Sequence, residues 1–269
     1  YDLNLSGSQV RAASYSQSLG ALIDFGISGQ WGVLTSSYIG QNLIGDQVRS
    51  VRRLETVLNK DFPETNMTLR LGDSATHLGA FSSSFNFAGI QLTRNFSLRP
   101  GFVTQPIPVL FGTSSTPSMI DLYINEVLRQ TTRVPAGPFT IDNLPLITES
   151  GEARLVVKDA LGRETVSVQP FFTHADLLEQ GLSDWAVELG QIRSNLGTDN
   201  ANYGPSFASA LWRQGINKQL TAQAELKWSA HTKRMSGGTV YALPLQALGI
   251  LEIARSHDQT LGQGRKWAL

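Results

Sequence analysis

Between Leu220 and Ala230 the chain alternates without a break. Leu220, Ala222, Ala224, Leu226 and Trp228 fall on one side of the pattern, Thr221, Gln223, Glu225, Lys227 and Ser229 on the other. Successive side chains of an extended strand point to opposite faces, so this is a strand with one apolar and one polar face; a helical period of 3.6 does not fit. The pattern recurs. Ala21, Ile23, Phe25 and Ile27 oppose Asp24 and Ser28; Met67, Leu69 and Leu71 oppose Thr68, Arg70 and Gly72; Trp185, Val187 and Leu189 oppose Asp184, Glu188 and Gly190. Spans of about ten residues exceed the usual strand of a soluble sandwich and suit a tilted strand crossing a membrane.

Turn residues divide these runs. About six strands are expected before residue 101, near 3–14, 19–30, 31–41, 48–59, 66–73 and 84–94, with turns at Gln17-Ser18 and around Pro63. About four more follow, near 183–193, 205–215, 218–231 and 238–255, separated by Gly197 to Asn202 and by Ser236-Gly237-Gly238, with another begun at 264. The run Phe85 to Leu92 changes parity at Ala88-Gly89, where a bulge is expected.

The stretch between is of another kind. From Gly101 to Phe172, prolines and glycines separate short Val/Ile/Leu-rich runs: Ile120 to Val127 with a turn at Asn125-Glu126, a rigid loop at Val134 to Pro138, and a hairpin of Arg154 to Lys158 with Glu164 to Val168 around Asp159 to Arg163. Short strands with such turns indicate a small β-sandwich. The fold expected is all-β: part of a large transmembrane β-barrel over 1–100, an inserted sandwich over 101–172, and the barrel's continuation over 173–269.

Composition narrows the function. Lys+Arg and Asp+Glu are 22 each, giving a formal net charge of +0, which argues against a phosphate-driven nucleic-acid binder. With only 16% charged residues the mixture is too hydrophobic for a disordered chain, and there is no apolar run long enough for a membrane helix. Alternation keeps the average polarity of a membrane barrel near neutral, so the composition suits one. With Cys 0, no thiolate site or disulfide is available. Tyr1-Asp2-Leu3-Asn4 is no signal segment, and both ends read as cuts through a longer protein.

The polar residues offer no catalytic motif. Zinc-protease, nucleophile-elbow, Walker and dinucleotide-binding patterns are missing, and no catalytic residue, metal or cofactor is expected. His77, His174, His231 and His257 are isolated from one another; a Ser-His pair projecting from adjacent strands would draw on His231 with Ser229 or Ser256. Asp24, Arg52 or Arg53, Arg70, Glu188, Glu225 and Lys227 sit opposite apolar faces. They would line a water-filled lumen or the solvated face of a soluble sheet, and Asp24, Arg70, Glu188, Glu225 and Lys227 are the candidate lumen and plug contacts. Trp31, Tyr38, Trp185, Tyr203, Trp212, Trp228 and Tyr241 would form interfacial girdles or core aromatics.

Several long strings carry a resemblance. Leu69 to Ser74, Gly89 to Phe102, Val134 to Pro145, Gly151 to Glu164, Gly181 to Trp185 and Tyr203 to Ser209 resemble the fimbrial outer-membrane usher family, strongly over about 66–215. The resemblance implies a large outer-membrane barrel with a sandwich plug between its sixth and seventh strands. It implies that such a protein receives pilus subunits from a periplasmic chaperone, orders them by donor-strand exchange and threads the fibre through its lumen, making and breaking no bond. Its partners would be chaperone–subunit complexes, pilus subunits in the lumen and outer-membrane lipid. The family's periplasmic domains and the rest of its barrel have no counterpart here. The Ser/Gly-rich stretch Ala75 to Ser84 would be an external loop that folds into the lumen and helps hold the plug, or an ordinary surface loop. A porin-like channel would explain the long strands but not the insert; a soluble adhesin would explain the insert but not the apolar outer faces.

Overall fold

The computed structural model describes residues 2–11, 15–44, 48–107, 109–141, 150–243 and 247–269. In chain order the first strands are β1 (Asp2–Arg11), β2 (Tyr15–Gly29), β3 (Gly32–Gln41), β4 (Ser50–Phe62), β5 (Met67–Ala75) and β6 (Asn86–Arg94). Short strands follow: β7 (Leu110–Ser114), β8 (Ser118–Ile124), β9 (Val127–Val134), β10 (Gly137–Ile141), β11 (Ser150–Asp159) and β12 (Glu164–Phe172). The last are β13 (Ser183–Arg193), β14 (Tyr203–Asn217), β15 (Leu220–Ser229), β16 (Thr232–Leu243), β17 (Ala247–Asp258) and β18 (Gly262–Ala268).

The long strands form one 12-stranded antiparallel sheet in the order β1-β2-β3-β4-β5-β6-β13-β14-β15-β16-β17-β18. Chain neighbours are sheet neighbours except at one place. There β6 pairs directly with β13, Leu92 opposite Val187 and Gln91 opposite Glu188, and the short strands leave and re-enter between them. They make a 4-stranded sheet, β12-β11-β8-β9, and a 2-stranded one, β10-β7. Leu110, Ile120, Leu122, Phe139, Ile141, Leu155 and Phe171 close the core between these sheets. The β8–β9 hairpin turns through Asn125 and Glu126 at φ 48° and 68°, the two left-handed residues that match a tight turn to the strand twist.

Burial in the large sheet is inverted relative to a soluble protein. Glu252 is 1% exposed while its neighbour Ile253 is 63% exposed. Gln91, Glu188, Gln223 and Glu225 are buried; Ile90, Leu189, Leu226 and Trp228 are exposed. A largely apolar face with the carboxylates on its reverse is what a lipid-facing wall requires. Below, the polar face is called inner and the apolar face outward. Trp212, Trp228 and Tyr241 stand exposed on the outward face, as interfacial aromatics do. Tyr203 does not join them: its hydroxyl lies among Arg53 and Asp73.

Several sequence expectations are corrected. Gln17-Ser18 is not a turn but part of β2, paired with Ser8 and Gln9; the β1–β2 connection lies at 12–14, outside the described residues. Ser236-Gly237-Gly238 is likewise inside β16, so the wall after the insert has β13 to β18 where four strands and the start of another were expected. The glycine there serves close approach: a Cβ on Gly238 would come within 2.1 Å of the Leu251 carbonyl and 2.9 Å of the Phe81 ring. No bulge interrupts β6 at Ala88-Gly89, where the ladders to β5 and β13 run on. Parity changes because Phe87 points inward, edge-on to Phe207, with Phe85 beside it.

Candidate functional site

The inner face of β13–β16 is covered at one end by the β5–β6 loop. From Thr76 to Phe85 this segment lies across the wall, and its backbone is held by wall side chains. The amide of His77 donates to Glu188 Oε1 at 2.6 Å, and that of Ala80 donates to Gln223 Oε1 at 2.8 Å. Ser82 Oγ donates to Glu225 Oε1 at 2.7 Å, and Lys227 Nζ to the Ser83 carbonyl at 3.2 Å. A loop buried in this way must find partners for its backbone groups, and the alternate polar residues of β13 and β15 provide them.

Glu188 is the centre of this contact. Its carboxylate also accepts from the Gln91 amide at 2.8 Å and from the Ser209 hydroxyl. Arg70 joins through Gln91, donating to its Oε1 at 3.1 Å. Lys227 pairs with Glu225 at 3.0 Å within β15, and hydrogen bonds to Gln223 and Glu225 and from Lys227 tie that strand to the loop.

The other end of the inner face receives the segment that leads out of the sandwich. The Leu178 amide donates to Thr221 Oγ1 at 2.8 Å, and Leu177 and Leu178 are buried. The Glu179 amide donates to the Thr104 carbonyl at 2.8 Å, joining the incoming and outgoing connectors. Arg213 Nη2 donates to the Asp176 carbonyl at 2.9 Å while its Nη1 contacts Asp184 at 3.4 Å. Asp184 in turn lies 3.2 Å from the His77 ring. One carboxylate thereby links the loop at one end to the sandwich connector at the other.

A second cluster closes a split in the wall. The β4–β5 ladder stops at Val57 opposite Gly72, leaving the far part of β4 without that neighbour. Its backbone groups are taken by side chains. Asp73 Oδ2 accepts the Thr56 amide at 2.9 Å, Asn200 Oδ1 accepts the Arg53 amide at 2.8 Å, and Arg193 donates to the carbonyls of Leu54 and Arg53. Arg53 and Arg193 pair with Asp73 at 2.7 and 3.1 Å. The β13–β14 loop thus reaches across to β4.

Of the candidate residues, Glu188, Glu225 and Lys227 meet at the β5–β6 loop and Arg70 reaches it through Gln91. Asp24 is elsewhere, on β2 opposite Ser37. Asp184, Gln223, Gln91, Thr221, Arg213, Asp73 and Arg193 were not singled out. Asp184, Gln223 and Thr221 share the polar parity of chosen residues and were findable; the Asp73–Arg193 contact joins strands distant in sequence and left no local signal. The Ser-His pairing does not form. Ser229 donates its hydroxyl to the Thr232 carbonyl at 3.3 Å, and His231 Nδ1 sits 3.5 Å from Gln259. No acidic or histidine cluster suited to a metal exists among the described residues.

A family model described as outer membrane usher protein matches residues 24–267. The chain belongs to this family. The usher FasD of Escherichia coli is 28% identical over 251 residues, 90% of this chain and 30% of FasD. YraJ of Escherichia coli K12 is 25% identical over 226 residues, 82% of this chain and 27% of YraJ. The chain therefore spans under a third of either relative. Among solved structures, the translocation pore of the usher PapC superposes with a TM-score of 0.57 at 19% identity, over 99% of this chain and 58% of that one. PapC within an Escherichia coli P pilus tip assembly intermediate, PapC-PapD-PapK-PapG, gives 0.60 at 20% identity, over 99% and 34%. At that identity the likeness speaks to fold: this usher segment has the fold of part of a translocation pore in the outer membrane.

Proposed function

We propose that this usher segment is wall and gate of an outer-membrane pore through which pilus subunits, brought by a periplasmic chaperone, are assembled and secreted. Residues 1–100 and 173–269 are wall and 101–172 are the plug. Arg70, Glu188, Glu225 and Lys227 line the lumen and act on the gate through the β5–β6 loop, and Asp24 lines it elsewhere. The observation that carries this reading is the placement of the sandwich: a folded unit between adjacent wall strands, both connectors gathered on the polar face. A channel for small solutes has no need of such a unit, whereas a pore wide enough for folded subunits must be shut when idle. The connectors leave from the strand ends opposite the β5–β6 loop; in this reading, with a strand pair beginning in the periplasm, the plug is attached on the periplasmic side and the loop enters from outside. The protein moves subunits without chemically changing them.

The test is deletion of the gene encoding the full protein in a strain that displays the fibres. Loss of surface fibres by electron microscopy, with chaperone-bound subunits accumulating in the periplasm, is the expected outcome. Normal fibres with slowed uptake of small solutes would instead identify a porin.

A further inference from the structure

Charge is segregated on β13–β18. Every carboxylate of these strands (Asp184, Glu188, Glu225, Glu252 and Asp258) has inner-face parity. The outward face, mostly apolar but with His257 and Gln263 among its polar members, carries Lys233, Arg255 and Arg265, all exposed. They are neighbours: Arg255 is paired directly with Arg265, and Met235 and Lys233 lie alongside on β16, opposite Arg255 and His257. Lys233 Nζ lies 5.5 Å from the Trp228 ring centre, at one end of the wall.

Like charges directly opposite across a ladder destabilise a sheet, and more so where water is scarce. The inner face shows how the same strands resolve this. Arg234 and Lys266 are drawn together by Glu252, at 2.5 and 2.6 Å. Among the described residues Arg255 and Arg265 have no such carboxylate. Beside them is a groove of about 760 Å³, open to the outward side, floored by Val187, Leu189, Leu226 and Met235 and edged by Lys233, Arg255 and Arg265. A cationic edge on an apolar trough fits a ligand with an anionic head and a hydrocarbon tail.

We propose that this patch binds one acidic, phosphate-bearing lipid of the outer membrane, its phosphate between Arg255, Arg265 and Lys233 and an acyl chain along the groove. The inference rests on the wall being membrane-embedded. It places the headgroup at the Trp228 level, where an interfacial aromatic and cations reaching toward the surface meet lipid phosphates. The patch lies beside the β17–β18 hairpin turn, at the end of the wall opposite the sandwich's connectors, and so in the external leaflet.

The experiment is native mass spectrometry of the full-length protein in an uncharged detergent, titrated with phosphatidic acid or phosphatidylcholine of identical chains. The first phosphatidic acid is expected to bind at least tenfold tighter than phosphatidylcholine. The K233Q/R255Q/R265Q variant should lose that preference, at about fivefold per cation. Inorganic phosphate alone should not compete. A triple variant that keeps the preference, a parent that shows none, or displacement by inorganic phosphate would each overturn the assignment. Heat-modifiable gel mobility reports folding; if the triple variant fails it, R265Q alone should lose about fivefold. Fractionation of the parent to the outer membrane checks the membrane reading separately.

Discussion

The carboxylate of Asp184 stands 3.4 Å from the guanidinium of Arg213, and this pair, both members buried, is where two otherwise separate restraints meet. On one side the His77 ring reaches Asp184 from the β5–β6 loop. On the other, Arg213 holds the Asp176 carbonyl in the connector of the sandwich. Movement of the connector and of the loop are thereby coupled through one carboxylate.

Neutralising it should loosen both. Removing one partner of a buried pair costs about 3–5 kcal/mol where water is excluded; a lumen admits water, so about 1–2 kcal/mol is expected here. That corresponds to roughly a 5- to 30-fold rise in spontaneous opening for Asp184→Asn in the full-length protein, read as open probability in planar bilayers. Unchanged open probability would mean that the pair does not restrain the gate.

The seam beside β4 predicts a different phenotype. Unpaired backbone groups in a membrane wall cost several kcal/mol each, and Arg193 satisfies two carbonyls while its charge meets Asp73. Arg193→Ala should destabilise the wall by about 3–5 kcal/mol, lowering the temperature at which the barrel loses its heat-modifiable band on gels. Arg193→Lys should recover only part of it, since one ammonium cannot reproduce the planar fork. Equal melting of Arg193→Ala and the parent would show that water satisfies the seam.

The strands were legible because a one-sided wall imposes a two-residue period that few other folds sustain. The polar face was legible for the same reason, down to Glu188, Glu225 and Lys227. Glycine misled. At Gly237-Gly238 the residue that reads as a turn answers a neighbour's backbone and the Phe81 ring, a demand made by the loop crossing the sheet. Phe87 misled similarly, apolar on a polar face because Phe85 and Phe207 cover it. Both errors arise where the loop lies against the wall. Alternation describes a strand in isolation and cannot register what is laid upon it.

The sandwich should fold without the wall. Its core is closed by its own strands, although about 70 residues is near the lower limit for a core without disulfides. Fragment 101–172 should give a dispersed amide NMR spectrum; collapsed dispersion would mean that it depends on the wall.

Acid should weaken that fragment in a defined way. Asp159 is held below its ordinary 3.8, first by the backbone amide of Arg163, then by the Arg163 side chain and the Leu161 amide. Asp121 is lowered by hydrogen bonds from Thr131 and Lys158. A lowered carboxyl pKa gives stability that is present above the unfolded value and lost as pH falls through the folded one, so the loss begins near pH 4 and deepens below it. Asp159→Asn should flatten this acid limb in chemical denaturation; an unchanged limb would assign it to other groups. Lys158 is raised by Asp121 and Glu164; while those carboxylates are ionised, its contribution should be lost as pH rises beyond its ordinary 10.5.

The gate itself is tested by removing the sandwich from the full-length protein. The wall's hydrogen bonds do not depend on it, because β6 and β13 pair with each other directly and both connectors belong to one interstrand passage. Deleting residues 101–172 and joining the flanks with a short Gly/Ser linker should therefore leave a barrel that assembles, inserts and stays open. The restraints of the β5–β6 loop on Glu188, Gln223 and Glu225 would remain, so the loop alone would narrow the lumen without sealing it. Single substitutions at Glu225 or Lys227 should raise leakage only slightly, since each removes one hydrogen bond to the loop, about 0.5–1.5 kcal/mol, whereas Glu225→Gln, Lys227→Gln and Asp184→Asn together should approach the deletion. The readout is sensitivity of cells to a large antibiotic normally excluded by the outer membrane, with outer-membrane levels of each variant matched. A deletion variant that inserts normally and leaks no more than the parent would show that the sandwich is not the gate. Fibre assembly could fail in either event, so permeability separates a lost plug from a lost assembly platform.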